Sequence, residues 1–234
     1  MIPKTIHYCW YGNKPLDSLQ TRCLDSWKRH LPDFTIKKWS EANSPVNAPY
    51  ARQSLNRGLW AQLANFVRLH ALYHEGGIYL DTDVEVVKSF NALLHENCFV
   101  GFQQEKKSAF WVNNAVIGSV PGHPFVGKCI DLTVEGLKKR RHWNRGPVIL
   151  TKVLLDMGLE RYGPQKVGDV RLFPTEYFYP CPWWKDFASD CVTENSFCIH
   201  HWQMTWVRRE DGKLSLTWWL GRKCRKALRT YAGI

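Results

Sequence analysis

A short apolar run that ends in two acidic residues stands out in the first half of the sequence. Gly76 and Gly77 precede Ile78-Tyr79-Leu80, and Asp81-Thr82-Asp83 follows directly. A glycine pair is typical of the end of a helix, because glycine adopts a left-handed backbone without strain. The apolar triplet predicts a short buried strand. The two carboxylates are therefore expected where a strand emerges from the core.

Strands and helices alternate along the first ninety residues. The periodicity predicts strands over 6–10, 34–39 and 78–80 and helices over 16–30 and 59–75. This order indicates an α/β sheet with nucleotide-binding character. The second half is less regular, with a strand expected over 112–118, helices over 124–139 and 148–157, and aromatic-rich loops and short strands over 170–206. An amphipathic helix is expected over 218–231.

The composition excludes several classes of protein. With 44% hydrophobic and 14% aromatic residues, the 234-residue chain can form a sizeable core, which excludes intrinsic disorder. No uninterrupted apolar run exceeds four residues, and no secretory signal is visible, so we expect a cytoplasmic protein. The eight cysteines contain no C-x-x-C pair and are expected to be reduced thiols.

The positive charge is concentrated in two segments. Residues 207–234 contain eight basic and two acidic residues, and residues 137–145 contain five basic and no acidic residues. The net charge of +11 thus lies in these segments, and the rest of the chain is neutral overall. Focused basic patches favour contact with an anionic surface. Both nucleic acid and anionic lipid fit that description.

The Asp81-Thr82-Asp83 sequence predicts a site for a hard cation. Both acids can face one ion only if the chain turns at Thr82, because successive strand side chains point in opposite directions. Mg²⁺ or Mn²⁺ would use these oxygens and neutralise a diphosphate. A solvated acidic turn is the simplest alternative. A haloacid-dehalogenase-type phosphatase is another, but Gly168-Asp169 is followed four residues later by Phe173 rather than a second acid.

With these motifs in view, the sequence resembles glycosyltransferase family 32, whose members carry a DXD sugar-transferase region. The resemblance is specific over 2–87 and weaker over most of the remaining chain. It rests on Ile2-Pro3-Lys4-Thr5-Ile6-His7, Trp10, Gly12, Ser26-Trp27, Pro32-Asp33, Trp39, Ala61, Arg68, Leu72-Tyr73 and 76–83, and less specifically on Asn114, Gly122-His123-Pro124, Gly146-Pro147, Phe178-Tyr179-Pro180 and Ile199-His200-His201-Trp202.

The resemblance implies a GT-A fold, a single Rossmann-like sheet flanked by helices that binds a nucleotide sugar at its strand ends. It implies that Trp10 stacks on the nucleobase and that the donor is bound by Asn65, Arg68, Tyr79, Asp81 and Asn114. It implies that the metal is bound by Asp83, Asp81 and His201, with help from His200. Trp206 would close a lid over the phosphates. Asp81, Asp83 and Arg68 form the expected catalytic set. Where relatives have Ser-Asp, this chain has Ala64-Asn65, so one carboxylate is missing.

The function implied is metal-dependent, retaining transfer of a hexose or N-acetylhexosamine from a UDP-sugar to a glycan acceptor. A lipid-linked bacterial polysaccharide intermediate is the expected acceptor. We expect a catalytic domain over 1–206 and a basic extension over 207–234 that, with 137–145, contacts the inner face of the plasma membrane. Nucleic-acid binding through these segments is the alternative, but no recognised nucleic-acid motif is present.

Overall fold

The computed structural model describes residues 1–12, 14–104, 111–138, 146–183, 189–203, 209–210 and 213–214. Its helices are α1 (Ser18–His30), α2 (Pro49–Asn56), α3 (Trp60–Glu75), α4 (Pro124–Lys138), α5 (Gly146–Asp156) and α6 (Thr175–Phe178). Its strands are β1 (Thr5–Cys9), β2 (Thr35–Trp39), β3 (Gly77–Leu80), β4 (Val84–Val86), β5 (Cys98–Gln104), β6 (Trp111–Ser119), β7 (Gln165–Val167), β8 (Val170–Phe173), β9 (Cys198–His200), β10 (Arg209–Glu210) and β11 (Lys213–Leu214).

Seven of these strands form one mixed sheet in the order β2-β1-β3-β6-β5-β8-β7. The pairs β1/β2, β1/β3 and β5/β8 are parallel, whereas β6 runs antiparallel to both of its neighbours. Separately, β4 pairs with β9 and β10 with β11, both antiparallel. The sheet thus confirms the predicted α/β class, and the strand that reverses direction lies next to the predicted acidic site.

The core occupies both faces of the sheet. Along β3, Tyr79 packs with the cluster under α3, α4 and α5, while Ile78 and Leu80 pack with the cluster that includes Trp27 of α1. This alternation is the two-residue period of a strand covered on both faces. The β4–β9 ribbon lies on the α1 side, where the Trp27 indole donates a hydrogen bond to the Val84 carbonyl at 2.7 Å.

Local sequence signals explain where the helices that matter for the site begin and end. Asp17 caps α1, because its Oδ1 accepts a hydrogen bond from the backbone N–H of Gln20. The Gln20 Oε1 in turn accepts a hydrogen bond from the Asp17 N–H, which completes a capping box. Helix α3 ends at Gly76, which has φ +66°, and Gly77 follows with φ +100°. A side chain at Gly77 would meet the Thr5 carbonyl of the neighbouring strand.

Two sequence-based predictions need comment, and several elements were not predicted. Helix α2 and strands β4, β5 and β7 were not predicted, and the helix expected over 218–231 lies outside the described residues. The prediction of reduced thiols is wrong for Cys181 and Cys191, which form a disulfide with a Cα–Cα distance of 5.5 Å. Their loop brings together two cysteines that no short motif links. The free cysteines that the structure describes are all buried.

None of the helices in the described ranges is both long enough and apolar enough to cross a bilayer.

Candidate active site

The sheet topology brings residues from distant parts of the chain to one edge. Because β1 and β3 are parallel and pair through Ile6 and Ile78, their carboxyl ends lie side by side. Trp10 follows one of these strands and Asp81 the other. Since β6 runs in the opposite direction, it is the beginning of β6, with Asn114, that reaches the same edge. Ligands of open α/β sheets bind at such edges.

Arg68 of α3 is buried and lies between the residues of this edge. Its Nη2 lies 3.1 Å from Asp81 Oδ1, and its Nη1 donates to the Asn114 carbonyl at 2.5 Å. Its guanidinium carbon lies 4.3 Å from the centre of the Tyr79 ring. Burial would lower the pKa of the Arg68 guanidinium, but the Asp81 carboxylate beside it raises that pKa above its ordinary value. Arg68 therefore stays charged and holds Asp81 in place.

Asp81 accepts a second hydrogen bond from within β3. The Tyr79 hydroxyl donates to Asp81 Oδ1 at 3.0 Å. Burial raises the pKa of Tyr79, so this hydroxyl keeps its proton. The main-chain N–H of Asp81 donates to the Ala115 carbonyl at 2.9 Å. The carboxylate is thus oriented by a cation, a neutral hydroxyl and its own backbone.

Asp83 lies beside His200 of β9. The register that pairs Val84 with His200 places the imidazole Nε2 3.3 Å from Asp83 Oδ1. The backbone N–H of Gln203 donates to Asp83 Oδ2 at 2.8 Å. Burial alone would raise the pKa of the Asp83 carboxyl, but His200 and the Gln203 N–H bring that pKa down to about 2. Asp83 is therefore ionised at any physiological pH.

The predicted metal residue His201 lies elsewhere. Its Nε2 is 2.8 Å from Glu85 Oε2, and Arg22 approaches the same carboxylate oxygen at 3.4 Å. His200 and His201 are adjacent at the end of a strand, so their side chains point in opposite directions. The structure places His200 at the acidic site and His201 on the opposite side of the β4–β9 ribbon.

Asp81, Asp83 and His200 fit a divalent cation. One potential ligand atom from each lies within 4.8 Å of the other two. Ligands of Mg²⁺ at about 2.1 Å would be about 3 Å apart when adjacent and about 4.2 Å when opposite, so small rotations suffice. The two carboxylates suit Mn²⁺ or Mg²⁺, which prefer oxygen ligands and keep positions open for phosphate oxygens.

Two amides border this cluster. Asn114 Nδ2 donates to Asn65 Oδ1 at 2.9 Å, which joins the start of β6 to α3. A Cβ atom at Gly146, the first residue of α5, would overlap the Asn114 amide. Asn65 thus accepts one hydrogen bond that an aspartate at this position could also accept, but without the negative charge.

Trp10 lines an open pocket at the end of β1. The pocket has a volume of about 360 Å³, and its walls include Gly12, Lys14 and Lys38. The Trp10 indole donates to the Lys14 carbonyl at 2.9 Å, which fixes the ring at the rim. Trp206, the predicted lid residue, lies outside the described residues.

Sequence reasoning missed Gln203. Its side chain donates to Asp17 and accepts from Gln20 at 3.0 Å, while its N–H bonds Asp83. Hydrogen bonds thereby link the segment after β9 to the capping box of α1 and to the Asp83 carboxylate. No local motif marks Gln203, because its partners lie more than 100 residues away in the sequence.

Comparison with known proteins gives two adjacent family matches. The model described as "Glycosyltransferase sugar-binding region containing DXD motif" matches residues 17–100. The model described as "Alpha 1,4-glycosyltransferase conserved region" matches residues 118–228. The first match contains Arg68, Asp81 and Asp83, and the second contains His200.

Similar curated proteins transfer three different sugars. The chain is 28% identical to human alpha-1,4-N-acetylglucosaminyltransferase over 76% of its own length and 50% of that protein. It is 29% identical to mouse lactosylceramide 4-alpha-galactosyltransferase over 60% of its own length and 40% of that protein. It is also 29% identical to inositol phosphoceramide mannosyltransferase 3 of Schizosaccharomyces pombe, over 53% of its own length and 35% of that protein. The chain therefore spans half or less of the length of these relatives.

Among solved structures, the PaToxG glycosyltransferase superimposes with a TM-score of 0.55 at 21% sequence identity. The match covers 66% of this chain and 69% of that one. It supports the GT-A arrangement of the sheet and helices.

Proposed function

Since the chain belongs to the glycosyltransferases with a DXD-containing sugar-binding region, as its resemblance to family 32 predicted, we propose that it is a metal-dependent, retaining enzyme. The donor would be a UDP-linked hexose or N-acetylhexosamine and the acceptor a glycan. The observation that carries this proposal is the grouping of Asp81, Asp83 and His200 at the carboxyl edge of the sheet. In the proposed metal set, His200 takes the place of His201.

The residues at this edge of the sheet have different roles in donor binding under this proposal. Mn²⁺ or Mg²⁺, when bound, neutralises charge on the departing diphosphate. Asp83, Asp81 and His200 would hold that ion. Arg68 directs its N–H groups at protein acceptors, including Asp81 and the Asn114 carbonyl, so we assign it a positioning role rather than direct contact with the sugar hydroxyls.

Retention is supported by two of the relatives, and the residues at the proposed sugar side indicate which retaining route is used. Asn65 and Asn114 are amides, which do not act as covalent nucleophiles, so same-face attack by the acceptor is the favoured route. Two of the three relatives named above are alpha-transferases by name. An α-linked product made from an α-linked nucleotide sugar is the product of retention.

A lipid-linked glycan is the acceptor we propose. The names of two relatives specify lipids, lactosylceramide and inositol phosphoceramide. The basic segments 137–145 and 207–234 would hold the protein against the anionic membrane in which such an acceptor lies. Residues 139–145 and most of 207–234 lie outside the described ranges.

The central test combines nucleotide binding with one substitution. UDP with Mn²⁺ should stabilise the protein, by about 2.7 kcal/mol at 100 times its Kd. Asp83→Asn should remove the Mn²⁺ dependence of this stabilisation and lower sugar transfer roughly 100-fold or more, because the ligand loses its charge. Thermal shift and a transfer assay measure the two effects.

Asp25→Asn is the matched control, because Asp25 is 51% exposed on α1 and pairs only at the surface with Lys28. It should leave binding and transfer unchanged. A folded Asp83→Asn protein that transfers sugar at the wild-type rate would exclude the proposed site.

A further inference from the structure

The backbone at Trp202 has an uncommon conformation. In the part of the chain that the structure describes, Trp202 is the only residue other than glycine with a positive φ, at +54°. A bulky residue adopts this left-handed conformation at a cost and keeps it only where surrounding contacts impose it. Trp202 lies two residues beyond His200, which belongs to the group that fits a divalent cation. A strained residue at this position favours a functional explanation.

The turn at Trp202 directs two backbone N–H groups at Asp83. The N–H of His201, which precedes Trp202, donates to the Asp83 carbonyl at 3.0 Å. The N–H of Gln203, which follows Trp202, donates to the Asp83 carboxylate at 2.8 Å. The left-handed residue between these two donors therefore places one of them on the main chain of Asp83 and the other on its side chain.

The Trp202 ring lies against the imidazole of His200. The two ring centroids are 4.0 Å apart, and the planes are inclined at 42°. Tyr179 contacts both rings, with centroid distances of 5.8 Å to His200 and 5.9 Å to Trp202. The Tyr179 hydroxyl accepts a hydrogen bond from the Val116 N–H of β6 at 3.1 Å, which fixes this aromatic group to the central sheet. Two aromatic neighbours thus limit the orientation of the imidazole.

His200 lacks the support that is usual for a metal-binding histidine. Such a histidine generally donates the N–H of its second ring nitrogen to a carbonyl or a carboxylate. His200 is 8% exposed, and its Nδ1 is buried without a hydrogen-bond partner among the residues that the structure describes. Its Nε2 contacts Asp83, which is itself a proposed ligand. Packing of the Trp202 and Tyr179 rings therefore takes the place of the usual hydrogen bond.

Trp202 is anchored by a loop outside the β4–β9 ribbon. Its indole Nε1 donates a hydrogen bond to the Cys181 carbonyl at 2.8 Å. Cys181 is 5% exposed and is joined to Cys191 by the disulfide, so the acceptor belongs to a cross-linked loop. An indole held in this way can keep His200 in the orientation that a bound ion requires.

We propose that Trp202 is a positioning residue of the cation site, whose ring orients the His200 imidazole and whose left-handed backbone directs the Gln203 N–H at Asp83. This inference rests on the proposed function, because it takes Asp83 and His200 to be ligands of a divalent cation. Trp202 acts through these two ligands, so it should determine how tightly the site binds the ion.

The test measures the affinity for Mn²⁺ alone, from the loss of the electron paramagnetic resonance signal of the free ion during a titration. Trp202→Gly removes the ring, and glycine accepts a φ of +54° without strain. It should weaken Mn²⁺ binding roughly tenfold to a hundredfold, as is typical when a metal ligand loses its support. Trp202→Phe keeps a ring and should weaken binding less than about fivefold. If Trp202→Gly does not fold, Trp202→Leu should show the same loss of roughly tenfold or more, because leucine has no flat ring.

Tyr177→Ala is the matched control. Like Trp202, Tyr177 is partly buried against the core cluster on the α1 side, but its ring packs on Phe173 and Phe197 rather than on a proposed ligand. This variant should keep its Mn²⁺ affinity within about twofold of the wild-type value.

Three results would overturn the inference. One is near-wild-type Mn²⁺ affinity in folded Trp202→Gly or Trp202→Leu protein, and another is an equal loss in Trp202→Phe and Trp202→Gly. The third is a smaller number of binding sites per molecule at an unchanged Kd, which would indicate a merely structural role. Failure of the wild-type protein to bind Mn²⁺ would instead contradict the proposed function on which the inference depends.

Discussion

Arg68 illustrates how much of the site depends on one side chain. A buried guanidinium needs acceptors for its N–H groups, and here they are the Asp81 carboxylate and the carbonyls of Ala64 and Asn114. These contacts join α3 to the end of β3 and the beginning of β6. Arg68 therefore sets the distance between Asp81 and Asn114 at this edge of the sheet.

Arg68→Lys tests this role. An ammonium keeps the charge but cannot reproduce the planar fork, so at least one buried acceptor loses its partner. We expect a loss of about 1.5–3 kcal/mol in the free energy of unfolding, measured by urea denaturation. Arg22→Lys makes the same change at a 57% exposed side chain and should cost less than about 0.5 kcal/mol. Equal effects of the two substitutions would contradict the positioning role.

The residue scale also shows a limit of sequence reasoning. Asp81 and Asp83 could be predicted because a buried strand and a turn fix their surroundings within eight residues. The choice between His200 and His201 depends on the pairing of β9 with β4, more than 100 residues earlier in the chain. A one-residue change in register exchanges the two faces of a strand, and the sequence carries no local signal for that register.

At the scale of elements, the His7 side chain of β1 links the three parallel strands β1, β2 and β3 through two hydrogen bonds. Its Nε2 lies 2.8 Å from the Gly76 carbonyl, and its Nδ1 accepts a hydrogen bond from the Trp39 indole at 3.1 Å. These bonds fix the neutral form with a proton on Nε2. Burial lowers the pKa of His7 below its ordinary value of 6.5.

This arrangement predicts a pH dependence of stability. Below pH 6.5 His7 is protonated in the unfolded chain, whereas in the folded protein it stays neutral to a lower pH. The free energy of unfolding should therefore fall as the pH drops from 7 to 5. The contribution of one such group is at most about 1.4 kcal/mol per pH unit. Urea denaturation across this range should show a shallower slope for His7→Gln than for the wild type.

His95→Gln is the control, because solvent reaches this 71% exposed side chain. It should leave the slope close to that of the wild type. A His7→Gln slope identical to the wild-type slope would show that His7 does not supply this dependence.

The elements themselves were only partly predictable. Helix α3 has a long apolar face and a glycine stop, and β3 is a compact apolar run, so both could be located from the sequence. Helix α2 has Pro49 in its first turn and begins without a side-chain cap, and its preceding Asn- and Pro-containing stretch predicts a loop. Strand β5 contains Gly101, which packs beneath Phe178, a contact that only the tertiary structure provides.

At the scale of the whole molecule, the distribution of charge remains the basis for a membrane prediction. The chain, with its net charge of +11, should bind vesicles that contain phosphatidylserine and dissociate at high salt. Trp218→Ser combined with removal of residues 220–234 should abolish this binding, because five basic residues and an interfacial aromatic are lost. Vesicle co-sedimentation measures the effect.

Binding that persists in this variant would contradict docking through the C-terminal segment. Preferential binding to duplex DNA would favour the nucleic-acid alternative instead. The inner face of the plasma membrane is the location we propose on the basis of these segments.

The reversed direction of β6 affects how such an enzyme can diversify. One side of the carboxyl edge consists of the ends of β1 and β3, and the other side consists of the start of β6 and the first residue of α5. These parts come from separate stretches of the polypeptide. Under the function proposed above, the ends of β1 and β3 would bind the nucleotide, and the start of β6 and of α5 would contact the sugar. Natural substitutions on the second side would then change which sugar is accepted while the first side keeps its sequence.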